Sequence, residues 1–169
     1  MRAYVTSQIS FVDGQDDQCP RQPGTFIQVG TFDSSVEDGQ KQSDVPVSVY
    51  CTVIPSGDKF QVDVKATLRS SQNGGGTVEV SGTLSSSGTQ TNVKGSFQSS
   101  YGTFSQSDCT VSYDLRPTSM GIAAGRVWAF IDCKNATETT GALRNNKPEA
   151  CSYSAEFRFE NCLQSPATK

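Results

Sequence analysis

The sequence predicts an all-β fold, an antiparallel β-sandwich or partly open barrel of about nine strands, stapled by disulfides. Three observations carry this. Polar and apolar residues alternate with a period of two through almost every segment, while helical periodicity is almost absent. Turn residues recur at regular spacing, as in Pro55-Ser56-Gly57-Asp58, Asn73-Gly74-Gly75-Gly76 and Ser85-Ser86-Ser87-Gly88. Six cysteines, an even number, are spread along the chain with no CxxC pair and no histidine to suggest zinc.

The clearest block is 45–98. Val45, Val47, Val49, Cys51 and Val53 share one face of a first strand. After the turn, Phe60, Val62, Val64, Ala66 and Leu68 point inward, and Gln61, Asp63, Lys65, Thr67 and Arg69 point outward. Val78, Val80 and Leu84 continue the inward parity, and Thr91 to Phe97 closes a four-strand antiparallel meander. Before it, strands are predicted at Ala3 to Val12 and Thr25 to Phe32, followed by a polar connection where Ser34 and Glu37 suit a short capped turn. After it, a strand at 103–115 groups Cys109, Val111, Tyr113 and Leu115.

The last quarter of the chain reads as a closing hairpin. Its first arm has Val127, Ala129, Ile131 and Cys133 on one face and Trp128 and Phe130 on the other, so it sits centrally or under a covered outer face. Its second arm directs Cys151, Tyr153, Ala155, Phe157 and Phe159 inward and Ser154, Glu156, Arg158 and Glu160 outward. No composition shift marks a boundary, so residues 1–169 form one domain.

Cysteine geometry narrows the pairings. Cys151 and Cys162 end a single strand roughly 36 Å long and cannot meet. Cys133 and Cys151 end the two hairpin arms on the apolar face, so the expected bond is Cys133–Cys151, which closes the 134–150 loop and contributes roughly 3 kcal/mol in the loop-entropy treatment. Elimination leaves Cys51–Cys109 between sheets and Cys19–Cys162 joining the N-terminal loop to the C-terminal end. Three disulfides require an oxidising, extracytoplasmic compartment. The first residues lack the apolar core of a secretory signal, so an exported form is expected to be the mature chain. No run has the ~20 apolar residues of a membrane helix, which leaves a lipid anchor as the membrane tie.

Several chemistries are set aside. Without histidine there is no Ser–His–Asp or Cys–His site, and no GxSxG or SxxK nucleophile occurs. Asp63, Glu79, Asp108 and Glu156 are the carboxylates that glycosidase chemistry would use, yet each fits the solvent face of an alternating strand. Gly74-Gly75-Gly76 lacks the partner residues of a phosphate loop. A net charge of −3 with scattered Lys and Arg argues against nucleic acid. Asp13, Asp16 and Asp17 form an acidic turn that could take calcium, without the spacing of an EF-hand. Trp128 is the candidate ligand contact, since indole rings stack on apolar faces of ligands. Asn135-Ala136-Thr137 satisfies the N-glycosylation sequon. No cofactor is implied.

The succession Cys51-Thr-Val-Ile-Pro, Gly-Asp-Lys-Phe, Val-Ser-Gly-Thr, Gly-Arg-Val-Trp-Ala through Cys133, and Phe-Arg-Phe-Glu-Asn-Cys162 resembles small secreted or lipoprotein-type β proteins of myxobacteria and related Gram-negative bacteria. It covers about residues 45–162 and implies extracytoplasmic residence and disulfides rather than an activity. The lipidated N-terminal cysteine of lipoproteins is missing here. The functional expectation is a non-enzymatic secreted, periplasmic or surface protein, a structural or accessory subunit in homo- or hetero-oligomeric contact with protein partners of an envelope or extracellular assembly. A carbohydrate- or ligand-binding module is the alternative.

Overall fold

Alternation becomes strands wherever one face can be buried. The computed structural model describes residues 1–10, 12, 19, 24–69, 75–99, 102–116, 118–139, 143–144 and 147–165. Its strands are β1 (Arg2–Ser10), β2 (Gly24–Val29), β3 (Val36–Glu37), β4 (Lys41–Gln42), β5 (Val45–Ser56), β6 (Lys59–Leu68) and β7 (Gly76–Ser85). They continue as β8 (Gln90–Ser99), β9 (Gly102–Ser112), β10 (Gly121–Ala123), β11 (Arg126–Glu138), β12 (Leu143–Arg144), β13 (Lys147–Pro148) and β14 (Ala150–Glu160).

Ten of these run side by side in the order β2-β1-β14-β11-β9-β8-β7-β6-β5-β4, with β3 added to β1 and β10 to β11. The sheet curls into a nearly closed antiparallel barrel, which decides between the two predicted architectures and adds one strand. The β5–β8 meander has the expected register and parity, with Cys51 opposite Val64, Val64 opposite Val80 and Val80 opposite Gly95. Gly57 turns the β5–β6 hairpin with φ +65°, a conformation that glycine adopts without a Cβ penalty.

The two ends of the ladder meet at a seam held by individual contacts. Gln42 of β4 donates to the Gln28 carbonyl of β2 at 3.1 Å and accepts from the Gly30 amide at 2.7 Å. The 38–40 turn bonds to β5 through Gly39 N–H to Val47 O and Val47 N–H to Gln40 O. Beyond β14, Leu163 pairs in parallel with Thr52, donating to Cys51 O and accepting from Val53 N–H.

Aromatic rings fill the interior. Phe97 stacks on Tyr153 at 4.8 Å between centroids, Phe104 tilts against Tyr153 at 5.4 Å, and Phe157 packs on Phe159. All five are fully buried. Leu115 departs from its predicted core position: β9 ends at Ser112, and Leu115 is 54% exposed. The segment around Ser34 is an extended turn leading into β3 rather than a capped helical turn.

The disulfides are Cys19–Cys151, Cys51–Cys162 and Cys109–Cys133, so all three expected pairings are corrected. Cys133–Cys151 fails because β11 runs on past Cys133 to Glu138. The register puts Cys133 opposite Tyr153, and a one-residue bulge beyond it puts Cys151 opposite Ala136. On its other edge β11 pairs Asp132 with Thr110, and one residue further Cys133 meets Cys109 with 4.5 Å between Cα atoms. Cys51–Cys109 fails because β6, β7 and β8 separate β5 from β9, whereas the segment after β14 returns beside Cys51. Cys19–Cys162 fails on direction: β1 leaves the sheet at Ser10 opposite Ser152, a full strand away from Cys162. The bonds place the chain in an oxidising environment.

Candidate functional site

Among the described residues, two places on the outer surface gather side chains capable of recognition. The first lies over β1, β14 and β11, where strand register sets three rows. Tyr4, Arg158 and Trp128 form the middle row, Thr6, Glu156 and Phe130 lie to one side, and Arg2, Glu160 and Arg126 to the other. In the middle row an arginine therefore lies between two aromatic rings.

Glu156 anchors this cluster. Its Oε1 accepts from Arg116 Nε at 3.0 Å and from Trp128 Nε1 at 2.9 Å, and its Oε2 from Arg116 Nη2 at 3.4 Å. The carboxylate is only 6% exposed, which corrects its assignment to solvent. Burial is offset by these charge-assisted bonds. The Glu156 hydrogen bond raises Arg116 above its already high value. Phe32 lies over the network, with the Arg116 guanidinium 4.4 Å from its ring centre, Trp128 at 5.8 Å and Tyr4 at 6.2 Å.

Arg158 sits between Trp128 at 5.0 Å and Tyr4 at 5.6 Å. It donates to Phe32 O and to Ser35 Oγ. Desolvation, with a smaller contribution from Glu156, raises the Tyr4 phenol above its ordinary value, against the opposing pull of Arg116 and Arg158. Trp128, the predicted ligand contact, is thus flanked by Phe32 and Arg158 with its N–H already bonded. Phe32, 41% exposed, packs on it with Arg116 against the Phe32 ring, and Leu115, next to Arg116 in the chain, is 54% exposed. Exposed Asp33 and Asp114 lie next to them in the chain.

The second place is a cleft of about 420 Å³ on the outer face at one end of β6, β7 and β8. Lys65, Thr67, Leu68, Arg69, Gly75, Gly76, Thr77, Gln98 and Ser99 line it. Thr67, Thr77 and Gln98 are lateral neighbours in three successive strands, and the two threonine hydroxyls lie 2.9 Å apart. Gly76, at φ +153°, forms part of the wall, where a Cβ would run into the Gln98 carbonyl and the Ile27 side chain. Lys65 pairs with Glu79 at 3.3 Å.

The remaining expected residues are dispersed. Asp63 and Glu79 share the open face of β6 and β7, and desolvation and then Glu79 raise the Asp63 carboxyl, with Lys65 opposing. Asp108 is exposed on β9, away from both. Asp13, Asp16 and Asp17 lie outside the described residues. Among the described residues, no group of three or more His, Cys, Asp or Glu is placed to hold a metal. Asn135 of the sequon is exposed at the β11 bulge.

Sequence reasoning missed Phe32, Arg116 and the cleft. Strand parity already put Arg158 on the face of Trp128; nothing local announced that Phe32, at the end of a predicted strand, would pack against Trp128. The chain matches no family model, no curated protein and no solved structure.

Proposed function

We propose that this is a non-enzymatic extracytoplasmic protein, secreted, periplasmic or surface-held, that serves as an accessory subunit by docking a protein partner on the β1–β14–β11 face. The observation that supports this most is the exposed Phe32 ring with the Arg116 guanidinium against it over a fixed Glu156–Trp128–Arg158 framework, with exposed Leu115 next to Arg116 in the chain. Aromatic and arginine side chains dominate binding energy at protein interfaces, and ones already held in place lose little freedom on association. The exposed carboxylates of Asp33 and Asp114 supply a polar rim of mixed charge. The barrel directs apolar side chains inward and Gln61, Asp63, Lys65 and Lys94 outward, the polarity of a protein facing water rather than lipid.

A photo-crosslinking residue at Leu115, used in the native extracytoplasmic extract, tests the reading. One discrete adduct is expected, absent when the crosslinker is at Lys94 on the meander face and reduced by Phe32→Ala. No adduct from Leu115, or the same adduct from Lys94, would overturn it.

The carbohydrate alternative loses its aromatic platform, because Trp128 is flanked and hydrogen-bonded. A sugar site on this chain needs polar recognition elsewhere.

A further inference from the structure

We infer that the cleft at the end of β6–β8 binds a carboxylate-bearing sugar, a hexuronate unit of an acidic polysaccharide. This rests on the ligand-binding reading and is independent of partner docking. Among the described residues the lining supplies two cations, Lys65 and Arg69, and no carboxylate, in a chain whose net charge is −3. Glu79 engages Lys65, whereas Arg69 has no carboxylate within ion-pair distance among the described residues. A guanidinium fork matches a carboxylate with two parallel hydrogen bonds.

The rest of the lining suits hydroxyls. Thr67, Thr77 and Gln98 form a row across two strand spacings, roughly 10 Å, on a backbone fixed by the sheet. Ser99 and the glycine backbone at 75 and 76 add further polar groups. Among the described residues no aromatic ring lines the cleft, and the groups they present recognise by hydrogen bond and charge. The volume of about 420 Å³ lies in the range of sites for small organic molecules and far exceeds one inorganic oxyanion.

Titration of the oxidised protein with oligogalacturonate, followed by amide chemical shifts and calorimetry, tests the assignment. Shifts are expected at Gly75–Thr77 and Gln98–Ser99, with affinity falling as salt rises. A neutral oligosaccharide of equal length should bind about tenfold more weakly, the worth of one lost charge-assisted hydrogen bond. Arg69→Gln should weaken oligogalacturonate binding by a similar factor with an unchanged melting temperature, and Lys94→Gln, outside the cleft, should leave it intact. Absence of millimolar binding, or equal affinity for the neutral sugar, would overturn the proposal. So would acetate or a poly-glutamate peptide binding as tightly as the uronide, the latter reassigning the cleft to acidic proteins. The Leu115 crosslink is unaffected by any of these results, so the two proposals fail separately.

Discussion

Gly95 offers a test in which the sign of the effect decides. It is buried in β8 between Val93 and Phe97, and its φ is not in the left-handed region, so the backbone alone would accept alanine. A Cβ there, however, would lie 2.6 Å from Cys133 Sγ, 3.1 Å from Cys109 Sγ and 3.2 Å from Ile131 Cδ1. The sulfurs belong to a bond that ties β9 to β11, so they cannot retreat as a free side-chain tip would. Overpacking of this kind costs about 1–3 kcal/mol, while Gly→Ala returns about 0.4–1 kcal/mol by restricting the unfolded chain. The net loss for Gly95→Ala is therefore between about 0 and 2.6 kcal/mol, a drop in melting temperature of up to about 10 °C for a domain of this size. In a Cys109→Ala/Cys133→Ala background the sulfurs are gone, and the same substitution should be neutral or stabilising. Thermal and denaturant unfolding of the four proteins gives the coupling directly. An equal cost in both backgrounds, or stabilisation of the disulfide-bonded form, would refute the claim that Gly95 exists to seat the bond.

Two further outcomes follow from the core and the seam. Burial pushes the Tyr113 phenol from 10.0 up to about 12, with its O–H donated to Ser85 O at 2.8 Å. The folded state holds this proton more tightly than the unfolded state, so the stabilisation is complete below pH 10 and is lost as pH rises toward 12. Tyr113→Phe should flatten that part of the alkaline stability profile and cost about 1 kcal/mol at neutral pH through the lost hydrogen bond, measured by urea unfolding; an unchanged alkaline slope would count against it. Replacing Cys51 and Cys162 by alanine should lower global stability by about 2–5 kcal/mol. Hydrogen exchange at the Leu163 and Val53 amides should accelerate before that at the β6–β7 ladder, and uniform acceleration would show that the seam is not a separate unit.

The meander was legible because one buried face and one wet face leave a period-two record, seen from Val47 through Phe97. The same record assigned Tyr153, Phe157 and Phe159 to the interior correctly. It could not assign disulfide partners, since parity states which face a cysteine occupies and says nothing about its neighbour across the ladder. The hairpin register puts Cys133 opposite Tyr153, two residues from Cys151, while the other edge of β11 brings it to Cys109, and register of this kind leaves no clear mark in sequence. Trp128 and Phe130 showed that the outer face of β11 needed a cover, but Phe32, which packs on Trp128, lies some hundred residues away. Glu156 looked solvated for the same reason: its polar neighbours Arg116 and Trp128 come from other segments.

The pairing of β1 with β14 also orders events in time. Meander strands, and β1 with β2, meet neighbours within about twenty residues and can zip up early, whereas the β1–β14 pairing must wait for a strand about 150 residues downstream. The same ranking applies to oxidation. Cys109 and Cys133, separated by 24 residues, can join once β9 and β11 align, while the 132- and 111-residue links of Cys19–Cys151 and Cys51–Cys162 can form natively only after β14 has docked. An export or refolding pathway that oxidises cysteines in order of appearance would join Cys19 to Cys51 first, a non-native bond. Thiol–disulfide isomerisation then becomes a requirement of this topology, and the yield of correctly folded protein should rise with a disulfide-shuffling redox buffer.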